Sequence, residues 1–164
     1  MKFQNKLPYL LLAAFTLASC KTQDRYAGVD GDFINGVPLP DRQDGASFLG
    51  GNVTKGNFQP VQFGYDSDKV ADSEMGKVEA VALAMRRSSA DLIIAGFTDQ
   101  RGTEEYNRGL GEQRALAVRQ ALIAQGISGG RIQTVSFGEE LPADPSGSES
   151  AAAVNRRAEF GVIR

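Results

Sequence analysis

Four consecutive apolar residues, Leu92-Ile93-Ile94-Ala95, run straight into a crowd of polar ones. A run this short and this apolar reads as a strand covered on both faces, hence a central strand. Past Gly96-Phe97-Thr98-Asp99-Gln100-Arg101-Gly102 a helical pattern takes over from Glu104 to Gln125, and Gly126 ends it. Thr103 is placed to cap that helix. Glu104 and Glu105 fill its first turn, where the helix dipole favours acids. A buried strand leading into a long helix requires further strands beside it and a helical layer above.

The flanking sequence supplies both. Val61, Phe63 and Tyr65 alternate with Gln62 and Gly64, a strand of period two. Asp72 or Ser73 is placed to cap a helix whose apolar positions are Met75, Val78, Ala82 and Met85. Ile132 to Phe137 reads as a third strand, Ser148 to Val154 as a short helix and Ala158 to Ile163 as a last strand. The order β-α-β-α-β-(α)-β predicts an α+β fold over 59–164: a two-layer sandwich, its helices on one face of a mixed sheet.

The N-terminus has another texture. Lys2 and Lys6 precede an apolar stretch, Leu7 to Leu17, too short to span a bilayer as a helix. Leu17-Ala18-Ser19-Cys20 resembles the cleavage and acylation site of a bacterial lipoprotein; the alternative is an ordinary secretory signal with a chance cysteine. The expectation is a signal peptide over 1–19, a lipid on Cys20 and a flexible tether to residue 58. Gly28, Gly31, Gly36, Gly45, Gly50, Gly51 and Gly56, with Pro38 and Pro40, break up regular structure there. Tyr26, Phe33, Ile34, Phe48 and Leu49 are the residues of that tether able to dock on the domain. Lys21, in place of aspartate, favours the outer membrane where the aspartate retention rule applies.

Composition then narrows the chemistry. The 164 residues include no histidine and one cysteine. No Ser-His-Asp triad, Cys-His pair or histidine-containing zinc site can form, nor an internal disulfide. The phosphate-cradling G-x-x-x-x-G-K-[ST] loop is absent. A formal net charge of −2 without a basic block gives nucleic-acid binding no support. Neither a metal nor a cofactor is expected.

The polar turn carries the candidate site. Asn107, Gly111, Arg114 and Val118 share one helix face. Arginine among apolar neighbours is costly unless its guanidinium finds partners. A mid-helix glycine costs about 1 kcal/mol against alanine, which suggests a close approach to that face. Asp99, at the strand end, is the natural neighbour of Arg114. Two readings follow. The pair is a structural ion pair pinning helix to sheet, or each charge faces a ligand group of opposite sign. Such a ligand carries an ammonium for Asp99 and a carboxylate for Arg114, with helix-start N–H groups assisting.

Five motifs in order carry a resemblance. They are Tyr65-Asp66-Ser67; Gly96-Phe97-Thr98-Asp99 with Arg101-Gly102-Thr103-Glu104-Glu105-Tyr106-Asn107; the helix pattern Asn107, Leu110, Gly111, Arg114, Ala115, Val118; Ser136-Phe137-Gly138-Glu139-Glu140-Leu141-Pro142; and Asn155-Arg156-Arg157-Ala158. Over about two thirds of the chain the sequence resembles the OmpA-like peptidoglycan-binding domain family, and Gly111 with Glu112 is the variant of its lipoprotein members. The resemblance implies non-covalent binding of the peptide stem of the cell wall, at diaminopimelate, by an outer-membrane protein whose domain faces the periplasm. The family's ligand-binding aspartate and arginine fall on Asp99 and Arg114. Thr98, Asn107 and Asp66 fall where they line or support that site. Arg157, in the closing motif, is either a ligand contact or a structural ion-pair partner. A TolB-like periplasmic protein is the further partner the resemblance implies. Phe97 stands where the family has histidine. Since it cannot hydrogen-bond, packing beneath the loop is favoured over facing the site. Two competing functions remain: a wall hydrolase pairing Asp99 with Glu104 or Glu105, and a module whose main ligand is another envelope protein.

Overall fold

The computed structural model describes residues 33–34, 37–38 and 48–163. The signal peptide expected over 1–19, Cys20 and most of the expected tether lie outside the described residues. Two short strands, β1 (Phe33–Ile34) and β2 (Val37–Pro38), pair antiparallel. The remaining elements run β3 (Val53–Lys55), β4 (Val61–Gln62), α1 (Met75–Arg86), β5 (Asp91–Phe97), α2 (Glu104–Ala124), β6 (Ile132–Gly138), α3 (Glu149–Asn155) and β7 (Arg157–Ile163).

β5 lies inside the sheet, as its apolar run requires. It pairs parallel with β6 and antiparallel with β7, and β7's other edge is taken by β4 and β3. The sheet is therefore mixed, and α2 forms the crossover between its two parallel strands. Leu92 and Ile94 point to the helices and meet Val78 and Met85 of α1 and Val118 and Leu122 of α2. Each such side chain, taken fully out of water, contributes about 1.5–3 kcal/mol. Ile93, Ala95 and Phe97 point the other way, into a second cluster with Phe48, Val53 and Phe137. Burial on both faces is why β5 shows no alternation.

That second cluster moves a boundary. Phe48 and β3 belong to the stretch read as tether, yet Phe48 is buried and Val53–Lys55 pairs with Gly161–Ile163. The folded unit thus reaches back at least to Phe48. Gly161 permits the docking, since a Cβ there would lie 2.4 Å from Val53 Cγ1.

Two local expectations also change. The strand from Val61 covers two residues, because the next carbonyls are taken: Phe63 O by Arg156 and Gly64 O by Arg114. Neither Asp72 nor Ser73 caps α1 through its side chain; a 3-10 turn over Asp72–Glu74 leads in, and Glu74 accepts from Gln62 N at 2.7 Å. The Thr103 cap holds: its Oγ1 accepts from Tyr106 N at 3.2 Å. Ser148, expected inside the short helix, caps it instead, its Oγ accepting from Ala151 N at 3.1 Å.

Gly111 has its explanation in the same layer. A Cβ on Gly96 would sit 1.8 Å from Gly111 O, and one on Gly111 2.3 Å from Ser136 Oγ. The helix backbone crosses the β5 backbone in direct contact, and this packing offsets the roughly 1 kcal/mol propensity cost.

Candidate functional site

The end of β5 is shaped by a bulge. Between Gly96 and Phe97 the register with β6 skips Phe137, so Phe97 pairs with Gly138. Gly138 takes φ 53° beside the backbone of Asn107 and Arg108. Thr98 N then donates to Gly138 O at 2.8 Å, which aims Thr98 and Asp99 past the sheet toward the start of α2.

A cavity of about 420 Å³ opens there. Five of the six expected ligand residues line it: Asp66, Thr98, Asp99, Asn107 and Arg114. Tyr65 and Tyr106 form exposed walls. Arg157, the sixth, is elsewhere. It points to the far face of the sheet, donates to Glu159 Oε1 at 2.6 Å and lies 3.9 Å from the Phe97 ring centroid. Phe97 stacks on Phe137 at 5.4 Å and meets Phe48 edge-on at 6.4 Å, so its ring packs beneath the loop. Of the two adjacent arginines, Arg156 reaches Asp99: it is the residue that follows α3, before β7 begins at Arg157, and the motif alone did not say which arginine turns inward.

The charges are not arranged as one simple pair. Among the described residues no ion pair within 4.0 Å joins Asp99 to Arg114. Asp99 is held instead by Arg101, with Nη2 to Oδ2 at 2.6 Å and Nε and the backbone N to Oδ1 at 3.3 and 3.1 Å. Arg156 Nη1 adds a bond to Oδ2 at 3.0 Å. Burial alone would raise the Asp99 carboxyl; these donors outweigh it and hold the group at about 2. Asp99 is therefore a fixed anion, suited to holding a cation and unsuited to giving a proton. Arg101 and Arg156 were not among the sequence candidates. The usable signal was Asp-x-Arg in a turn, which lets a side chain fold back two residues.

Arg114 is fully buried. Its guanidinium donates to three backbone carbonyls: Ser67 O and Phe97 O at 2.9 Å, and Gly64 O at 3.2 Å. Burial pushes it down to about 10, against the attraction of Asp99. Carbonyl dipoles thus solvate a cation that no carboxylate among the described residues pairs with. Asn107 Nδ2 donates to Glu139 Oε2 at 2.6 Å, and Tyr106 Oη donates to Asp66. Thr98 Oγ1 is buried with no hydrogen-bond partner among the described residues, a costly state that a ligand group would relieve. The cavity therefore offers an anion, a buried cation and an unused hydroxyl, walled by two tyrosines. No group of three or more acidic, histidine or cysteine side chains among the described residues is placed to hold a metal.

Known proteins share this arrangement of elements. The OmpA family profile matches residues 62–156. The peptidoglycan-associated lipoprotein of Pasteurella multocida is 37% identical over 157 residues, covering 93% of this chain and 96% of that protein. The protein of the same name from Pseudomonas putida is 39% identical over 98 residues, and the match spans 60% of this chain and 59% of that one. The crystal structure of the peptidoglycan-associated lipoprotein from Burkholderia pseudomallei aligns with a TM-score of 0.60 at 36% identity, over 64% of this chain and 88% of that one.

Proposed function

The chain belongs to the OmpA family, and from that premise we propose that it is a lipid-anchored outer-membrane protein that binds peptidoglycan non-covalently and tethers the outer membrane to the cell wall. The observation that carries the reading is one cavity presenting Asp99 as a fixed anion and Arg114 as a buried cation without a carboxylate partner among the described residues. A free diaminopimelate end carries an ammonium and a carboxylate on one carbon. Asp99 receives the ammonium and Arg114 the carboxylate, while Thr98 Oγ1 gains the partner it lacks. Two charge-assisted contacts at fixed separation select for such a zwitterion.

Cys20 carries the anchor in this reading, and the domain faces the periplasm. One buried methylene contributes about 0.8 kcal/mol, so stable anchoring needs two or more chains. The relatives bear the name peptidoglycan-associated lipoprotein, which supports both halves of the proposal. A TolB-like periplasmic partner stays an expectation that the family resemblance adds.

Cell fractionation followed by sedimentation with purified diaminopimelate-containing sacculi tests both halves. The full chain should pellet with sacculi. Asp99→Ala and Arg114→Ala should stay in the supernatant with an unchanged circular dichroism spectrum. Cys20→Ser should leave the membrane fraction yet still bind sacculi. Unchanged pelleting of both site variants would overturn the site; membrane retention of Cys20→Ser would overturn the anchor.

A further inference from the structure

Two guanidiniums already lie on Asp99, and they are not equivalent. Arg156 is a fixture: its side chain is 10% exposed and its Nε donates to Phe63 O at 3.2 Å. Arg101 is 44% exposed and stands at the mouth of the cavity, its guanidinium 4.2 Å from the centroid of the Tyr65 ring. It makes the shortest contact to the carboxylate, 2.6 Å, so it sits where a ligand ammonium on Asp99 has to go.

Arg101 also has somewhere to withdraw. Its Nη1 reaches Glu149 Oε2 at 3.2 Å, at the start of α3. On that side of its side chain lies a second cavity of about 300 Å³, with Asp99, Arg101 and Glu149 in its walls. Arg101 is thus the partition between two spaces, and Asp99 forms part of both. If it swings toward Glu149, it keeps a carboxylate partner and takes one donor from each oxygen of Asp99, opening room for an ammonium there. Asp99 meanwhile keeps Arg156 and the backbone N–H of Arg101, so it stays ionised without its mobile partner.

We propose that Arg101 determines the specificity of this site: in the free protein its guanidinium holds the place on Asp99 that a ligand ammonium takes, and on binding it withdraws to Glu149. The inference rests on the wall-binding reading and adds to it a built-in competitor. A ligand without an ammonium cannot displace Arg101 from Asp99. A zwitterionic diaminopimelate end does, because its carboxylate is drawn to Arg114 at the same time. Selectivity then comes from a cost imposed on the wrong ligands as well as from contacts with the right one.

Titration calorimetry on the detergent-solubilised full chain tests this with two probes. One is the tripeptide Ala-γ-Glu-diaminopimelate with a free side-chain amine; the other is the same peptide acetylated on that amine. Arg101→Ala should bind the free-amine peptide about fivefold tighter than wild type, the scale of an exposed ion pair. It should bind the acetylated peptide no better than wild type does. Arg101→Lys, which keeps a cation for Asp99, should stay near wild type with both. Equal or weaker binding of the free-amine peptide by Arg101→Ala would overturn the proposal, showing that Arg101 holds the ligand instead of competing with it. Failure of wild type to bind the free-amine peptide would overturn the wall-binding reading itself, and the inference with it.

Discussion

Helix α2 buries two arginines, one toward each end of the sheet, and their surroundings differ. Arg119 donates to Ile132 O at 3.2 Å and Gly129 O at 3.0 Å, closing the turn that leads into β6. Arg114 does the same for three carbonyls around the end of β5. Burial pushes both guanidiniums below their ordinary value. A buried arginine that satisfies carbonyls is therefore a structural device, and alone it indicates no ligand. What sets the Arg114 end apart is its company: a cavity, the anion Asp99, the orphaned hydroxyl of Thr98 and two exposed tyrosines. The comparison separates what holds the helix down from what holds a ligand.

The largest effects come from breaking both ends in parallel. Arg114→Met and Arg119→Met each leave buried carbonyls without donors, at about 1–3 kcal/mol per orphaned group. Each should lower the unfolding free energy by about 2–4 kcal/mol in urea titrations. Sacculus binding, measured where both variants are folded, should vanish for Arg114→Met and persist for Arg119→Met. If Arg119→Met also loses binding while folded, the two ends are one cooperative device and the contrast fails.

The next effect is carried by pH. The Asp99 carboxyl is held at about 2, below the usual carboxylate range, by the guanidiniums on it. A depressed carboxylate stabilises the fold fully above its unfolded value and loses that contribution as pH falls through the folded one. Wild type should thus lose up to about 2 kcal/mol between roughly pH 4 and pH 2 from this group. Asp99→Asn should start less stable at neutral pH and show a flatter decline over that window. Thermal unfolding across the pH range reads this directly. An unchanged slope in Asp99→Asn would mean that other carboxylates carry the acid sensitivity.

How much of this was legible depends on the range of the interaction. The central strand, its cap-to-glycine helix and the mid-helix Gly111 follow from local pattern, and the structure places each accordingly. Asp66, Thr98, Asp99, Asn107 and Arg114 converge as the motifs implied. What escaped were pairings between distant, short segments. β3 has three residues amid glycines, too few for a period to show; Phe48 docks as the sequence allowed, but its partner Phe137 lies far along the chain and no local pattern points to it. The choice between Arg156 and Arg157 turned on where β7 begins: Arg156 is the bend after α3 and Arg157 the strand's first residue. Arg101 was overlooked because a turn arginine ordinarily points to water; here Asp99 folds it back. Asp99 and Arg114, expected either as mutual partners or as two charges facing a ligand, each have other protein partners nearby.

The smallest predicted effect probes the cavity wall. Tyr106 Oη donates to Asp66, and this bond holds the phenol protonated beyond its ordinary range. Asp66 is the only non-glycine residue with positive φ among those described, at 49°. Aspartate tolerates that region better than most residues, yet the turn still gains from a tie at its tip. Tyr106→Phe keeps the exposed ring and removes the tie. Stability should change by less than about 1 kcal/mol, since the bond is exposed. Binding of the diaminopimelate peptide should weaken about two- to threefold, because the Tyr65-Asp66 wall is no longer held against α2. A loss as large as that of Asp99→Asn would place the hydroxyl in direct contact with the ligand. No loss at all would leave the ring as the whole contribution of Tyr106, and the site end would then depend on its charges alone.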